Sequence, residues 1–530
     1  MSDTTPTEGS AATPPADPAA AKRQREQVDK LVASPVVTAS ASVNLAAMDD
    51  ADTTGRALAY QVRAGFIPVL AGGMGAQRGE PQAAVFTVAY LADVADVADT
   101  APRPQRPVCF AFNGGPGSAS IWLHLGALGP KRVPVNDDGS LAAAPYAVQD
   151  NPLTWLAFFD LVFIDPPHTG WSLSASDAAR KQHLSVDGDV DALAEVMRGW
   201  LAANGRFGAP LYLAGESYGT TRAAALSDKL LDAGLALSGL ILVSCAMDLQ
   251  ALVFAPRNDL PYALFLPGYA AAAQYHGTLK GPLAASGEAA RTAAEDFVQT
   301  DYLTALHAGA RLDVRAAHRI EKRLAELTGL PLTVVQDNNL RISDATFFVE
   351  ALRPRGQLLG RLDARATAPM ASTRERVMLF DPGIDGIASP YTTAAYAYFG
   401  ALGLPVGQRY DTFSMDVHKA WRWQRGGGDG ADNLVEANGF TSTSPDLARA
   451  MRRNPNMKVL VASGRYDLGT PYCATDWSLA QLDAPASVLA RISHHYYDGG
   501  HMMYTRPADL AKLHADVAAW LVVGSAAPPG

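Results

Sequence analysis

The sequence predicts an α/β protein: a mostly parallel central sheet flanked by helices, with a mainly helical insertion. Three observations carry this. Between residues 108 and 243, short apolar runs alternate with segments of helical period, an order that builds a parallel sheet with crossover helices. The alternation resumes after residue 457. Between the two stretches, Ala-rich segments of helical period dominate.

Taken in order, Ala57–Arg63 and Ala84–Leu91 have strand-like alternation. Val108–Asn113 is a buried strand running into Gly-Gly-Pro-Gly, and Leu161–Ile164 is another. Asp187–Asn204 is a helix, with Val190, Leu193, Ala194, Met197 and Leu201 on one face. Leu211–Ala214 is a strand, Thr220–Ala233 a helix and Leu240–Val243 a strand. Helices follow at Tyr269–Tyr275, Glu288–Ala308 and Leu312–Leu327, and Gly426–Gly430 reads as a flexible loop. The closing elements are a strand at Met457–Ser463, a helix at Trp477–Leu482, a strand at Val488–Ser493 and a helix at Pro507–Leu521. The expected organisation is a disordered tail over 1–35, core over 36–248, a helical lid over 249–444 and core again over 445–526.

Composition narrows the function classes. The chain has 530 residues, 48% hydrophobic and 18% charged, which is ordinary for a globular protein. A net charge of −9 argues against a nucleic-acid partner. The cluster Lys22-Arg23-Gln24-Arg25 reads as solvated tail. No run reaches about 18 apolar residues, so no membrane span or membrane partner is expected. Residues 1–21 are mostly Pro, Ala, Thr and Ser, with no apolar signal segment. Cys109, Cys245 and Cys473 are too few for a disulfide framework, and none has metal-ligand spacing. A cytoplasmic protein is expected.

The chemistry starts at Gly215-Glu216-Ser217-Tyr218-Gly219. This G-x-S-x-G lies between a predicted strand and a predicted helix, the context in which such a serine is a nucleophile. A serine needs a base. His501, in Asp498-Gly499-Gly500-His501-Met502 before the last helix, is best placed. His494, His495 and His514 read as packing or surface residues, while His124 and His168 lie near loops expected to line the cleft. Asp467 follows a strand and is the candidate third member; Asp476, Asp483 and Asp498 are less well placed. The chain order Ser217, Asp467, His501 is that of the α/β-hydrolase fold. The expected oxyanion hole is made by the N–H groups of Tyr218 and of Gly115, in Asn113-Gly114-Gly115-Pro116-Gly117. Such chemistry calls for neither a metal nor an organic cofactor.

Four blocks resemble the serine carboxypeptidases. Asn113–Pro130 is similar to the family's NGGPG block ending in LGP, and Asn151–Ser172 to its NP…W…DQP block. Gly215–Gly219 looks like its GESY motif, and Asp467 and Gly500-His501-Met502 are similar to its late Asp and GHM. The resemblance implies release of C-terminal amino acids from a peptide substrate with a free C-terminus, through an acyl-enzyme. It also implies that Asn113 and Glu216 bind the substrate carboxylate. Glu216 must then be protonated, because two like charges cannot share a site cheaply; mildly acidic pH should favour activity. Three positions depart from the pattern. Ser118 stands where many relatives have a disulfide cysteine. Ala127 stands where relatives often have a Glu supporting the carboxylate-binding Glu, and Pro166 replaces a Gln. An esterase or acyltransferase using the same triad is the alternative. A binding protein that had lost catalysis would lack a triad member, and all three are present.

Overall fold

A computed structural model describes residues 18–46, 56–72, 75–93, 105–425 and 439–523. Residues 1–17 of the expected tail and the loop at Gly426–Gly430 lie outside the described residues.

The main sheet is built from β1 (Val37–Asn44), β2 (Ala57–Leu70), β3 (Pro81–Ala92), β4 (Val108–Phe112), β5 (Asp160–Ile164), β6 (Leu211–Glu216), β7 (Leu237–Val243), β8 (Lys458–Gly464) and β9 (Ile492–Tyr497). Their order is β1-β2-β3-β5-β4-β6-β7-β8-β9, and the two-residue strand Leu173–Ser174 also pairs with β3. β1, β2 and β3 are antiparallel to their neighbours. The six strands from β5 to β9 pair in parallel. Every residue of β4 and β5 is buried, as a sheet covered on both faces requires. This is the α/β-hydrolase fold.

One sheet face is covered by α2 (Val186–Asn204), α3 (Tyr218–Asp232) and α8 (Ser444–Arg453), through Leu193, Met197, Leu226, Leu230, Leu447 and Met451. The other is covered by the segment at 121–128 and by α9 (Pro507–Val523), which contributes Leu510, Leu513, Val517 and Trp520. Between β7 and β8 the chain is mainly helical, including α4 (Leu260–Tyr275), α5 (Gly287–Phe297), α6 (Val314–Thr328) and α7 (Pro382–Ala401). Much of this segment has a core of its own, in which Tyr269 stacks on Phe347 with centroids 4.1 Å apart.

Two expectations need correction. The segment expected to be disordered over 1–35 contains α1 (Pro18–Val32). Composition hid it: Val28, Leu31 and Val32 form an apolar stripe that packs against Ala84, Ala175 and Phe66. Gln24 also donates to the Ser174 carbonyl (2.9 Å), and Arg25 pairs with Glu80 (3.4 Å). The strand expected at Val488–Ser493 sits later, at Ile492–Tyr497, and Ala486–Leu489 is a short helix. The apolar run there faces the core from a helical turn. The strand itself is His- and Tyr-rich, with a pattern that local hydrophobicity does not reveal.

The parallel register aligns the strand ends. Phe112 lies opposite Gly215, Glu216 opposite Val243, Val243 opposite Ala462, and Gly464 opposite Tyr497. The loops carrying Asn113–Gly117, Ser217, Asp467 and His501 therefore leave one edge of the sheet together, where α/β folds place their sites.

Candidate active site

Ser217 sits between β6 and α3 with φ 59° and ψ −129°. Such a left-handed conformation costs a non-glycine residue about 1–3 kcal/mol, and close packing holds it. A Cβ on Gly215 would come 2.3 Å from the Gly219 carbonyl oxygen, and one on Gly219 would come 2.8 Å from that of Phe112. A Cβ on Gly114 would come 2.4 Å from the Tyr218 nitrogen. The Asn113–Gly117 loop can approach the turn only because these positions lack side chains.

Arg222 locks this approach from below. It donates to Asp189 (2.6 Å) and to the Asn113 carbonyl (2.6 Å), and its guanidinium lies over the rings of Phe112 and Tyr218. Both ions of the pair are about 1% exposed. Breaking a pair this deep strands a charge and costs about 3–5 kcal/mol.

Asp467 and His501 meet. His501 Nδ1 lies 2.7 Å from Asp467 Oδ2. The Asp467 carboxylate also accepts from the Gly469 and Thr470 amides (2.7 and 2.9 Å) and from the Thr470 hydroxyl (2.7 Å). Burial pushes its pKa up, but His501 and these donors outweigh that and leave it lowered. Asp467 is therefore an acceptor only, His501 Nδ1 carries the hydrogen, and Nε2 is left with its lone pair. Burial opposes the imidazolium, yet Asp467 and, less, Glu216 raise the His501 pKa above the usual imidazole value. The His501 amide donates to the Leu362 carbonyl (2.6 Å), so the helical segment holds the histidine loop. Ser217 Oγ and His501 are not hydrogen-bonded to each other, a common state of such pairs without substrate.

Gly115, Ser217 and Tyr218 line one cavity of about 610 Å³. Tyr218 opens α3, and its amide has no carbonyl one turn back to bond. Opposite walls come from Leu249, Leu252, Val253 and Phe265, and from Trp423 and Phe440. Asn113 and Glu216 do not line this cavity; they are 1% and 3% exposed. Asn113 Oδ1 accepts from the Leu123 amide (3.0 Å), and its side chain beside Glu216 favours the ionised carboxylate. Tyr504 donates to Glu216 Oε2 (2.6 Å). Burial outweighs these contacts and pushes the Glu216 pKa up to about 7.

The other candidates separate cleanly. His124, expected near the cleft, is core: it stacks on Phe163, bonds Tyr90 (2.7 Å), and burial lowers its pKa to about 3. His168 bonds Ser174 (2.8 Å) and does not line the cavity either. His494 lies 2.9 Å from Asp476, His495 lies 3.4 Å from Asp516, and His514 packs on Phe158. Asp476 accepts from Tyr496, while Asp483 and Asp498 are exposed. Ala127 is fully buried and bears no polar group toward Glu216, whose hydroxyl partner is Tyr504. Sequence reading missed Arg222, Leu362 and Tyr504. Tyr504 alone had a local signal, three residues beyond His501. Among the described residues, no group of His, Cys, Asp and Glu could hold a metal ion, and no helix is long and apolar enough to cross a membrane.

Residues 97–249 match the family described as serine carboxypeptidase. That stretch carries the Asn113–Gly117 loop and the Ser217 turn. No curated protein matches the chain. Among solved structures, a proline iminopeptidase of Mycobacterium smegmatis is 13% identical with a TM-score of 0.34, covering 92% of this chain and 98% of its own. A peroxisomal α/β-hydrolase of Saccharomyces cerevisiae is 9% identical with a TM-score of 0.31, covering 94% and 91%. The family match and the fold make the chain a hydrolase that resembles the serine carboxypeptidases.

Proposed function

We propose that this hydrolase is a serine carboxypeptidase, with Ser217, His501 and Asp467 as its triad. His501 Nε2 takes the Ser217 hydroxyl proton as Oγ attacks the carbonyl of the last peptide bond. The oxyanion that forms accepts from the Gly115 and Tyr218 amides. His501 passes the proton to the leaving amine, and the C-terminal amino acid departs. Water then gives a proton to His501 as its oxygen attacks the acyl carbonyl, and His501 returns that proton to Ser217 Oγ as the acyl–oxygen bond breaks. Asp467 keeps His501 in the working tautomer and stabilises its cationic form.

The observation that carries the carboxypeptidase reading is Glu216. It is buried beside the nucleophile and next to Asn113, bonded by the Tyr504 hydroxyl, with its pKa raised to about 7. A carboxylic acid kept neutral in mild acid can donate to a substrate carboxylate, which an ionised one would repel. A cytoplasmic setting belongs to the same proposal, and the three free thiols support it.

One observation favours the second reading, an esterase or acyltransferase. The apolar cavity opens on Ser217, whereas Asn113 and Glu216 lie outside its lining. The deciding experiment compares an N-blocked dipeptide with its C-terminal amide at about pH 5 and about pH 7.5, on either side of ordinary histidine titration. Ser217→Ala is the control. Cleavage of the free acid over the amide, absent in the variant and with a free-acid-to-ester ratio that rises at low pH, supports the carboxypeptidase. Equal cleavage of both, or of simple esters only, moves the assignment to the second reading.

A further inference from the structure

A second cavity, of about 720 Å³, lies apart from the Ser217 cavity, with no lining residue in common. Its lining includes the first turn of α5, and Arg291 on that helix is 92% buried by its 8% exposure. No carboxylate lies within ion-pair distance of Arg291 among the described residues, and no hydrogen bond is formed by its guanidinium. Two acids lie about one turn from it on its own helix: Glu295 is engaged by the Tyr472 hydroxyl (2.6 Å), and the exposed Glu288 forms no ion pair with it. The guanidinium faces the cavity: a Cβ on Gly287 would come 3.1 Å from Arg291 Nη1 and 3.3 Å from the Tyr466 hydroxyl. Its unpaired nitrogens line the cavity rather than being sealed in the protein, so this floor offers charge-assisted donors to an anion.

The rest of the lining gives the other half of the ligand. Arg365 is also buried, but Asp363 already holds it through two bonds of 2.9 and 2.5 Å. Arg506 pairs with Asp509 (3.0 Å) and faces Asp137 (3.6 Å). Exposed Asp137, Asp138, Glu288 and Asp498 ring the mouth. The cavity is thus cationic at its floor and anionic at its rim. A simple anion would meet repulsion on entry; a molecule with an anionic end and a cationic end would not.

We propose that this cavity binds a small zwitterion of the free amino acid class, its carboxylate on Arg291 and Tyr466 and its ammonium among the rim carboxylates. The site touches both catalytic loops, since Tyr466 precedes Asp467, Asp498 lies three residues before His501, and the Tyr466 amide donates to the Gly499 carbonyl (3.0 Å). The proposal does not depend on the carboxypeptidase reading, because binding can be read without turnover.

The test is calorimetric titration of the full chain with L-phenylalanine, L-phenylalaninamide and 3-phenylpropanoate. The zwitterion should bind at least about tenfold tighter than either single-charge analogue, the value of one charge-assisted bond. Arg291→Met should weaken it at least about tenfold, and Gly287→Val, which fills the floor from the main chain, should do the same. Thermal melts of both variants should stay near that of the parent. Lys229→Met, a surface change on α3 outside this cavity, should leave affinity unchanged. Three results would overturn the proposal: no binding, equal binding of 3-phenylpropanoate, or binding that survives both floor variants.

Discussion

Ser217 and Glu216 are adjacent in the chain yet lie in opposite surroundings. Ser217 opens onto a cavity of about 610 Å³ lined by apolar side chains together with Asp344, Arg361 and His418, while Glu216 is 3% exposed and held by Tyr504. The alternation of a strand explains the split, because successive side chains leave on opposite faces. The sharp turn after Glu216 then throws the serine outward. Hydrolytic chemistry and recognition of a chain end are thus separable: the first needs only the open side, and the second needs the closed one.

The most forceful way to break this comparison is Ser217→Ala. It should lower turnover of every substrate, ester or peptide, by about 10⁴-fold or more, with an unchanged melting temperature. Persistent ester cleavage would place the nucleophile elsewhere. Next comes Asp467→Asn, which keeps the shape but supplies a donor where His501 Nδ1 needs an acceptor. A loss of about 10⁴-fold in kcat is expected, again on both substrate classes.

Glu216→Gln sharpens the comparison by acting on one side only. In the parent, activity on free-acid peptides relative to simple esters should fall as pH rises through about 7, where Glu216 loses its proton, because His501 titration acts on both substrate classes alike. The neutral Gln cannot ionise. About one pH unit above that value, the variant should outrun the parent by about tenfold on free acids, and simple esters should show no difference. A pH profile that matches between parent and variant would remove Glu216 from recognition. Tyr504→Phe should have the smallest effect. Its hydroxyl stabilises the Glu216 carboxylate, so deleting it should move the alkaline limb upward by up to about one pH unit.

What was legible in the sequence follows the same division. The glycines of Gly215–Gly219 and Asn113–Gly117 mark a close approach that only small residues allow, and strand and helix flank them at readable periods. Asp467 and His501 stood out as polar residues in loops after apolar strands, and the structure brings those two side chains together. The misses are residues whose partners are remote. Arg222 reads as an ordinary helix residue until Asp189 and the Asn113 carbonyl, 33 and 109 positions away, come within reach. Tyr504 is 288 positions from Glu216. His124 was open between packing and cleft, because its neighbours in sequence are at the cleft, and Tyr90 and Phe163 draw its ring into the core. Helix α1 escaped because an Ala-rich polar segment shows its apolar stripe only against the β3 surface it covers.

The bond from the His501 amide to the Leu362 carbonyl has a consequence for modularity. Many enzymes carry an insertion that acts as a detachable cover, exchanged between relatives to change what is admitted. Here the covering segment also grips the loop that presents the imidazole, and a Cβ on Gly500 would meet that same carbonyl at 2.4 Å. Excising the stretch between β7 and β8 should therefore yield a misaligned base rather than a stripped-down, permissive hydrolase. A graft from another protein would have to reproduce one main-chain oxygen at that spot, whatever side chains it brought.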